Sequence, residues 1–118
     1  MFLELEIIMK KSEVKTHTKA ILDKLEIYYV CPSTTGYKKS AIPDIIACVS
    51  GTFLAFNCIG TGKSITPIQA AEFNNIVSSH GIAFTVNSQN ILILENTLTV
   101  IQQMKEGLIH EDEISAPN

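Results

Sequence analysis

Residues 41–60 read AIPDIIACVSGTFLAFNCIG, from Ala41 to Gly60, and the reading of this stretch decides the fold. Two apolar, β-branched and aromatic runs flank Ser50-Gly51, a pair that suits a two-residue hairpin turn with glycine in the left-handed region. The turn sets the register. Val49 faces Thr52, Cys48 faces Phe53, and by extension Asp44 lies opposite Asn57, with Ile59 two residues on and pointing to the same face. Ile46, Cys48, Phe53 and Ala55 fall on one face, and Ile45, Ala47, Leu54 and Phe56 on the other. A hairpin apolar on both faces predicts a central position in a sheet covered on both sides.

Outward from the hairpin, helices and strands alternate. Ser12 is a suitable N-cap for a helix from Glu13 to about Leu25, with Val14, Thr18, Ile21, Leu22 and Leu25 as its inner stripe. Ile27 to Val30 reads as a short strand, and Cys31 to Ile42 as a loop. After the hairpin, Gly60 to Ser64 reads as a flexible loop. Thr66, Pro67 and Gln69 then form a T-x-x-Q capping box with proline at the first helical position. That helix is expected to run to about His80 and to stop at Gly81, with Gln69, Phe73, Ile76, Val77 and His80 on one stripe. Ile82 to Val86 is a strand. Ile91 to Leu94 reads as a further strand or an extension of it, and a last helix is expected from about Thr97 to Glu106, ending at Gly107. The order gives an α/β sandwich, a sheet flanked by helices.

The bulk properties fit one domain of 118 residues, 46% apolar and 18% charged, long enough to bury a core without disulfides or metals. It divides into an N-terminal arm or strand (1–9), a folded domain (10–107) and an acidic tail (108–118) expected to be disordered. No apolar run approaches the roughly 20 residues of a membrane span, and the acidic start is unlike a signal peptide. The net charge of −3 does not advertise a nucleic-acid binder, but seven of the nine lysines fall in residues 10–39. With no arginine in the chain, any phosphate contact must come from lysine, hydroxyls or backbone N–H groups. Cys31, Cys48 and Cys58 are odd in number and fit no metal-site spacing, so all three are expected to be free, structural and in a reducing compartment.

The stretch GYKKSAIPDIIACVSGTFLAFNCIGTGKSITPIQAAEFNNIVSSHGIAFTV, residues 36–86, carries a family resemblance. Its marks are the glycine-bearing loop before Pro43-Asp44, the G-x-F-L-A hairpin, the T-x-x-Q helix start and the H-G-I-A-F strand entry. In this order they resemble the virus-type replication-repair nuclease module, VRR-NUC, of the PD-(D/E)xK superfamily. The resemblance covers roughly Glu13 to Val86. It implies a restriction-endonuclease-like mixed β-sheet flanked by helices, an α-β-β-β-α-β core. It also implies a magnesium- or manganese-dependent DNA endonuclease, a homodimer for which the apolar N-terminal arm is a candidate contact, and a cytoplasmic setting in a bacterial or phage-infected cell.

In such enzymes a first-helix glutamate, the PD aspartate and the E-x-K carboxylate gather the metal, and the lysine orients water or stabilises the transition state. By that match Glu13 and Asp44 are the metal ligands, and Asp44 and Gln69 belong to the catalytic site; Lys38 and Lys39, in the loop beside that site, are expected to meet DNA phosphates. Asn57 stands where the second acid belongs, and Ile59 where the lysine belongs. An amide offers the metal one neutral oxygen, and isoleucine offers neither charge nor donor. Three readings follow: a catalytically impaired DNA-binding protein with a nuclease fold, an active endonuclease in which Lys63 replaces the lysine and Glu13 or Glu72 the acid, and an interaction module without catalysis. Each residue also has a plainer explanation. Asp44 suits a strand start, Gln69 a capping box, Glu13 the positive end of a helix, and Lys38 and Lys39 a solvated loop. His17 and His80 suit surface or core positions, and G-T-G-K-S lacks the full P-loop pattern.

Overall fold

A computed structural model of the chain describes residues 7–32 and 41–115, and their side chains as far as residue 104. The first helix, α1, spans Lys11–Lys24. It starts earlier than Ser12 capping predicts, because Glu13 Oε1 reaches back to the Lys10 N–H at 2.8 Å. Its buried residues are Val14, Thr18 and Leu22, one stripe of i, i+4, i+8 spacing. Thr18 enters that stripe with its hydroxyl donated to Val14 O at 2.8 Å, so the buried polar group is satisfied. The helix ends on Glu26 at φ 57, with Ile27 N–H bonded back to Leu22 O at 2.9 Å and Glu26 N–H to Asp23 O at 3.1 Å. This is a Schellman ending with a non-glycine residue in the left-handed position.

Strand β1 (Tyr28–Val30) follows, then the hairpin of β2 (Ile45–Val49) and β3 (Thr52–Cys58). Its register runs from Val49 opposite Thr52 to Ile45 opposite Phe56, as the turn predicts. Ser50 and Gly51 both take positive φ, 48° and 85°, the left-handed pair of a type I′ turn. Helix α2 (Pro67–Ser78) carries the chain to β4 (Ile82–Val86), which pairs parallel to β3. The strand order is β1-β2-β3-β4, with the first two pairings antiparallel. The protein is therefore α/β, a four-stranded mixed sheet with three helices about it.

The T-x-x-Q box forms as the spacing predicts. Thr66 Oγ1 accepts from Gln69 N–H at 3.2 Å, and Gln69 Oε1 accepts from Thr66 N–H at 2.9 Å. The end of α2 differs from expectation. The left-handed residue is His80 at φ 70, not Gly81, and Gly81 N–H closes the turn on Ile76 O at 2.9 Å. Gly81 is needed for space instead: a Cβ there would lie 2.8 Å from Ile76 Cγ2 and 3.1 Å from Phe53 O. Val77 and His80 are exposed, so the expected inner stripe of α2 narrows to the half-buried Gln69, Phe73 and Ile76.

The last element overturns a second expectation. Ile91 to Leu94 is no strand but the start of α3, which spans Ile91–Ser115 and continues beyond Gly107, its expected end. Asn87 Oδ1 accepts from the N–H groups of Gln89 and Asn90 at 2.8 and 2.9 Å, and Asn90 Oδ1 accepts from Asn87 N–H at 2.8 Å. This reciprocal asparagine cap starts a helix whose Ile91, Leu94, Leu98 and Ile101 face the core.

The core lies on one side of the sheet. Ile45, Ala47, Val49, Leu54, Phe56, Cys58 and Val86 pack there against Val14 and Leu22 of α1 and Leu94 and Leu98 of α3. Phe56 stacks on Phe84 with ring centroids 5.0 Å apart. The opposite side is covered in part, a correction to the doubly covered hairpin. Ala55 and Asn57 are buried, while Tyr28, Val30, Cys48 and Phe53 are exposed. Helix α2 packs on β4 and shares a groove with Phe53, while Tyr28, Val30 and Cys48 on the β1–β2 half are exposed. The cysteines divide accordingly: all three are free, but Cys31 and Cys48 are exposed and Cys58 alone is buried.

Candidate functional site

The base of the hairpin, away from its turn, holds the polar residues. Pro43 delivers Asp44 to the start of β2, where it is buried. Asp44 N–H donates to Phe56 O at 2.9 Å and lies 3.3 Å from Asn57 Oδ1, so the two residues do face each other. Asp44 Oδ2 accepts from Cys58 N–H at 2.8 Å and from the Lys11 ammonium at 3.0 Å. The Lys11 side chain is 52% exposed and that of Asp44 10%, so the pair closes the carboxylate from one side while the ammonium stays in contact with solvent.

Asn57 is fully buried. Its Nδ2 is a buried polar atom with no hydrogen-bond partner among the described residues, a cost of about 1–3 kcal/mol. The Asp44 N–H on Oδ1 fixes which end of the amide is which. Cys58, next along β3, has its thiol 3.8 Å from Thr18 Oγ1. Burial pushes that thiol up to about 11, helped by the charge of Asp44 and opposed by the Thr18 hydrogen bond. At neutral pH it is a packed, protonated group and not a nucleophile.

The chain before α1, the loop after β3 and the first turn of α2 enclose a cleft of about 490 Å³ beside this cluster. Lys10, Lys11, Ile59, Lys63, Ser64 and Gln69 are among its walls. The loop of residues 60–64, expected to be flexible, is tied down. Thr61 Oγ1 accepts from Met9 N–H at 2.9 Å and lies 3.0 Å from Ser88 Oγ, and Thr61 N–H donates to Met9 O at 3.0 Å. Gly60 permits this, since a Cβ there would lie 3.3 Å from both Lys11 N and Met9 O. Met9, at the end of the N-terminal arm, is thereby part of the cleft wall.

The sequence-derived site residues do not all meet. Ile59, Lys63 and Gln69 share the cleft, with Asp44 and Asn57 at its base behind Lys11 and Cys58. Glu13 does not join them: its carboxylate is engaged at the Lys10 N–H, and it opens onto a separate surface with Ser12, Thr16 and His17. Glu72 accepts from Asn75 Nδ2 at 3.5 Å. Lys38 and Lys39 lie outside the described residues. Sequence reasoning passed over Lys11. Its signal is electrostatic: two consecutive lysines at the positive end of a helix oppose the dipole and call for a nearby acid.

The donor set fits a hard divalent cation poorly. Such ions take several oxygen ligands, carboxylates foremost. Here one carboxylate is already answered by an ammonium and a backbone N–H, and its neighbours are an amide and an isoleucine. Among the described residues no group of three or more His, Cys, Asp or Glu side chains is placed to hold a metal. Fold and site together define an α/β protein with a lysine-rich cleft at the base of its central hairpin. Compared with known proteins, the chain matches no family model, no curated protein and no solved structure.

Proposed function

We propose that this chain is a DNA-binding protein with a restriction-endonuclease-like, VRR-NUC-similar fold that does not hydrolyse DNA. The α-β-β-β-α-β order through β4 supports the class. The observation that carries the reading is the Lys11 ammonium on Asp44 opposite a buried Asn57. The acid that would anchor a metal is paired to a lysine, and the second acid is an amide. Losing single electrostatic groups of a catalytic site costs roughly 10²–10³ in rate, and here both the second carboxylate and the E-x-K lysine are replaced.

The test is incubation with branched, flapped and plasmid DNA in magnesium or manganese, alongside binding measured against salt. Binding that weakens with salt, without cutting, is the expected result. Cutting that disappears in Asp44→Ala overturns it and installs the second reading, an active metal-dependent endonuclease.

The open half of the sheet supports a homodimer as the working form. Tyr28 is 71% exposed, Val30 43% and Phe53 44%, and the exposed Cys48 lies opposite Tyr28 and Phe53 in the sheet. Within the arm, Met9 is tied to Thr61, while Ile7 and Ile8 are exposed.

A further inference from the structure

The polar lining of the cleft is made of donors. Lys10, Lys11 and Lys63 bring three ammonium groups. Gln69 has its oxygen committed to Thr66 N–H, so its amide presents N–H groups, and Ser64 adds a hydroxyl. Among the described residues no carboxylate lines the cleft, because Asp44 sits behind Lys11 and Glu13 faces elsewhere. Met9 and Ile59 supply an apolar wall. A volume of about 490 Å³ is larger than a bare phosphate requires and suits a phosphoryl group carrying a sugar and base.

We infer that the cleft binds a nucleotide phosphate without metal, and that Lys11 supplies at Asp44 the positive charge a divalent cation would supply. Lys10, Lys11 and Lys63 surround the phosphate, and the Met9–Ile59 wall takes the apolar face of the nucleoside. The inference rests on the DNA-binding reading only for the ligand's source, a free mononucleotide or one unit of a strand.

The experiment titrates the full chain with inorganic phosphate, a deoxynucleoside monophosphate and a short single-stranded oligonucleotide, each in EDTA and in magnesium. Nucleotide phosphate is expected to bind equally well in both and more tightly than inorganic phosphate. Charge-assisted contacts set the expected loss at about tenfold per lysine in Lys63→Ala and Lys11→Met, with an unchanged circular-dichroism spectrum. Oligonucleotide binding tighter than mononucleotide binding, and lost in the same variants, places the site on DNA. Mononucleotide binding with no gain for the oligonucleotide keeps the site and removes the DNA reading. Oligonucleotide binding that ignores both substitutions keeps the DNA reading and overturns the site. A requirement for magnesium, or no nucleotide binding in either buffer, also overturns it.

Discussion

The two faces of the β2–β3 hairpin have nearly the same apolar content and different fates. Ile45, Ala47, Leu54 and Phe56 are buried under α1 and α3. On the reverse, Ala55 is buried, Ile46 is half-buried, and Cys48 and Phe53 are exposed. Hydrophobic residues show which faces can be covered, but the covering elements decide which are. Helices α1 and α3 bring Val14, Leu22, Leu94 and Leu98 to the core face, whereas α2 buries no residue completely. The polar base of the hairpin sits at the margin between these two regimes.

The sharpest way to break this contrast is Phe56→Ala. The ring is fully buried and stacked on Phe84, so truncation should cost about 3–5 kcal/mol, read as a fall in the urea midpoint. A loss below about 1 kcal/mol would mean that the core face is not the better-packed one.

A second test uses the thiol at the edge of that face. Burial raises Cys58 from 9.0 to about 11. A group whose folded value is raised contributes stability that is present below its unfolded value and is lost as pH rises through the folded one. The loss should therefore develop from pH 9 to about 11, with a ceiling of ~3 kcal/mol at about 1.4 kcal/mol per pH unit. Cys58→Ala should be less stable at neutral pH but should lack this component. Parallel stability profiles for the two proteins between pH 8 and 11 would show that the thiol is not desolvated.

Legibility from sequence follows the range of the interaction. The hairpin register, the Ser50-Gly51 turn and the Thr66–Gln69 box are readable because each is set within a few residues by backbone geometry and capping. Asp44 opposite Asn57 follows from that register. The alternation Ile91-Leu92-Ile93-Leu94 mimics a strand, and what decides against it is the Asn87–Asn90 cap just upstream. Glu26 and His80 at positive φ are invisible because composition assigns that conformation to glycine, while closure of the two Schellman turns imposes it here. The pairing of Lys11 with Asp44 spans 33 residues and depends on where α1 sits over β3, which no local pattern encodes. The partial cover of the reverse face is likewise a property of how far α2 reaches.

Phe53→Ser should have the smallest effect and examines the open side directly. Phe53 is 44% exposed and touches the groove beside Ile76 and Gly81, so the isolated chain should lose about 1 kcal/mol or less. If a second copy covers this face, the wild-type melting temperature rises with protein concentration by mass action. Phe53→Ser should then flatten that dependence while leaving the dilute-limit value nearly unchanged. Phe56→Ala should do the reverse, lowering the dilute-limit value and keeping the slope. A wild-type melting temperature independent of concentration would mean that no second copy covers Tyr28, Val30 and Phe53. A loss in Phe53→Ser comparable to that in Phe56→Ala would erase the difference between the two faces.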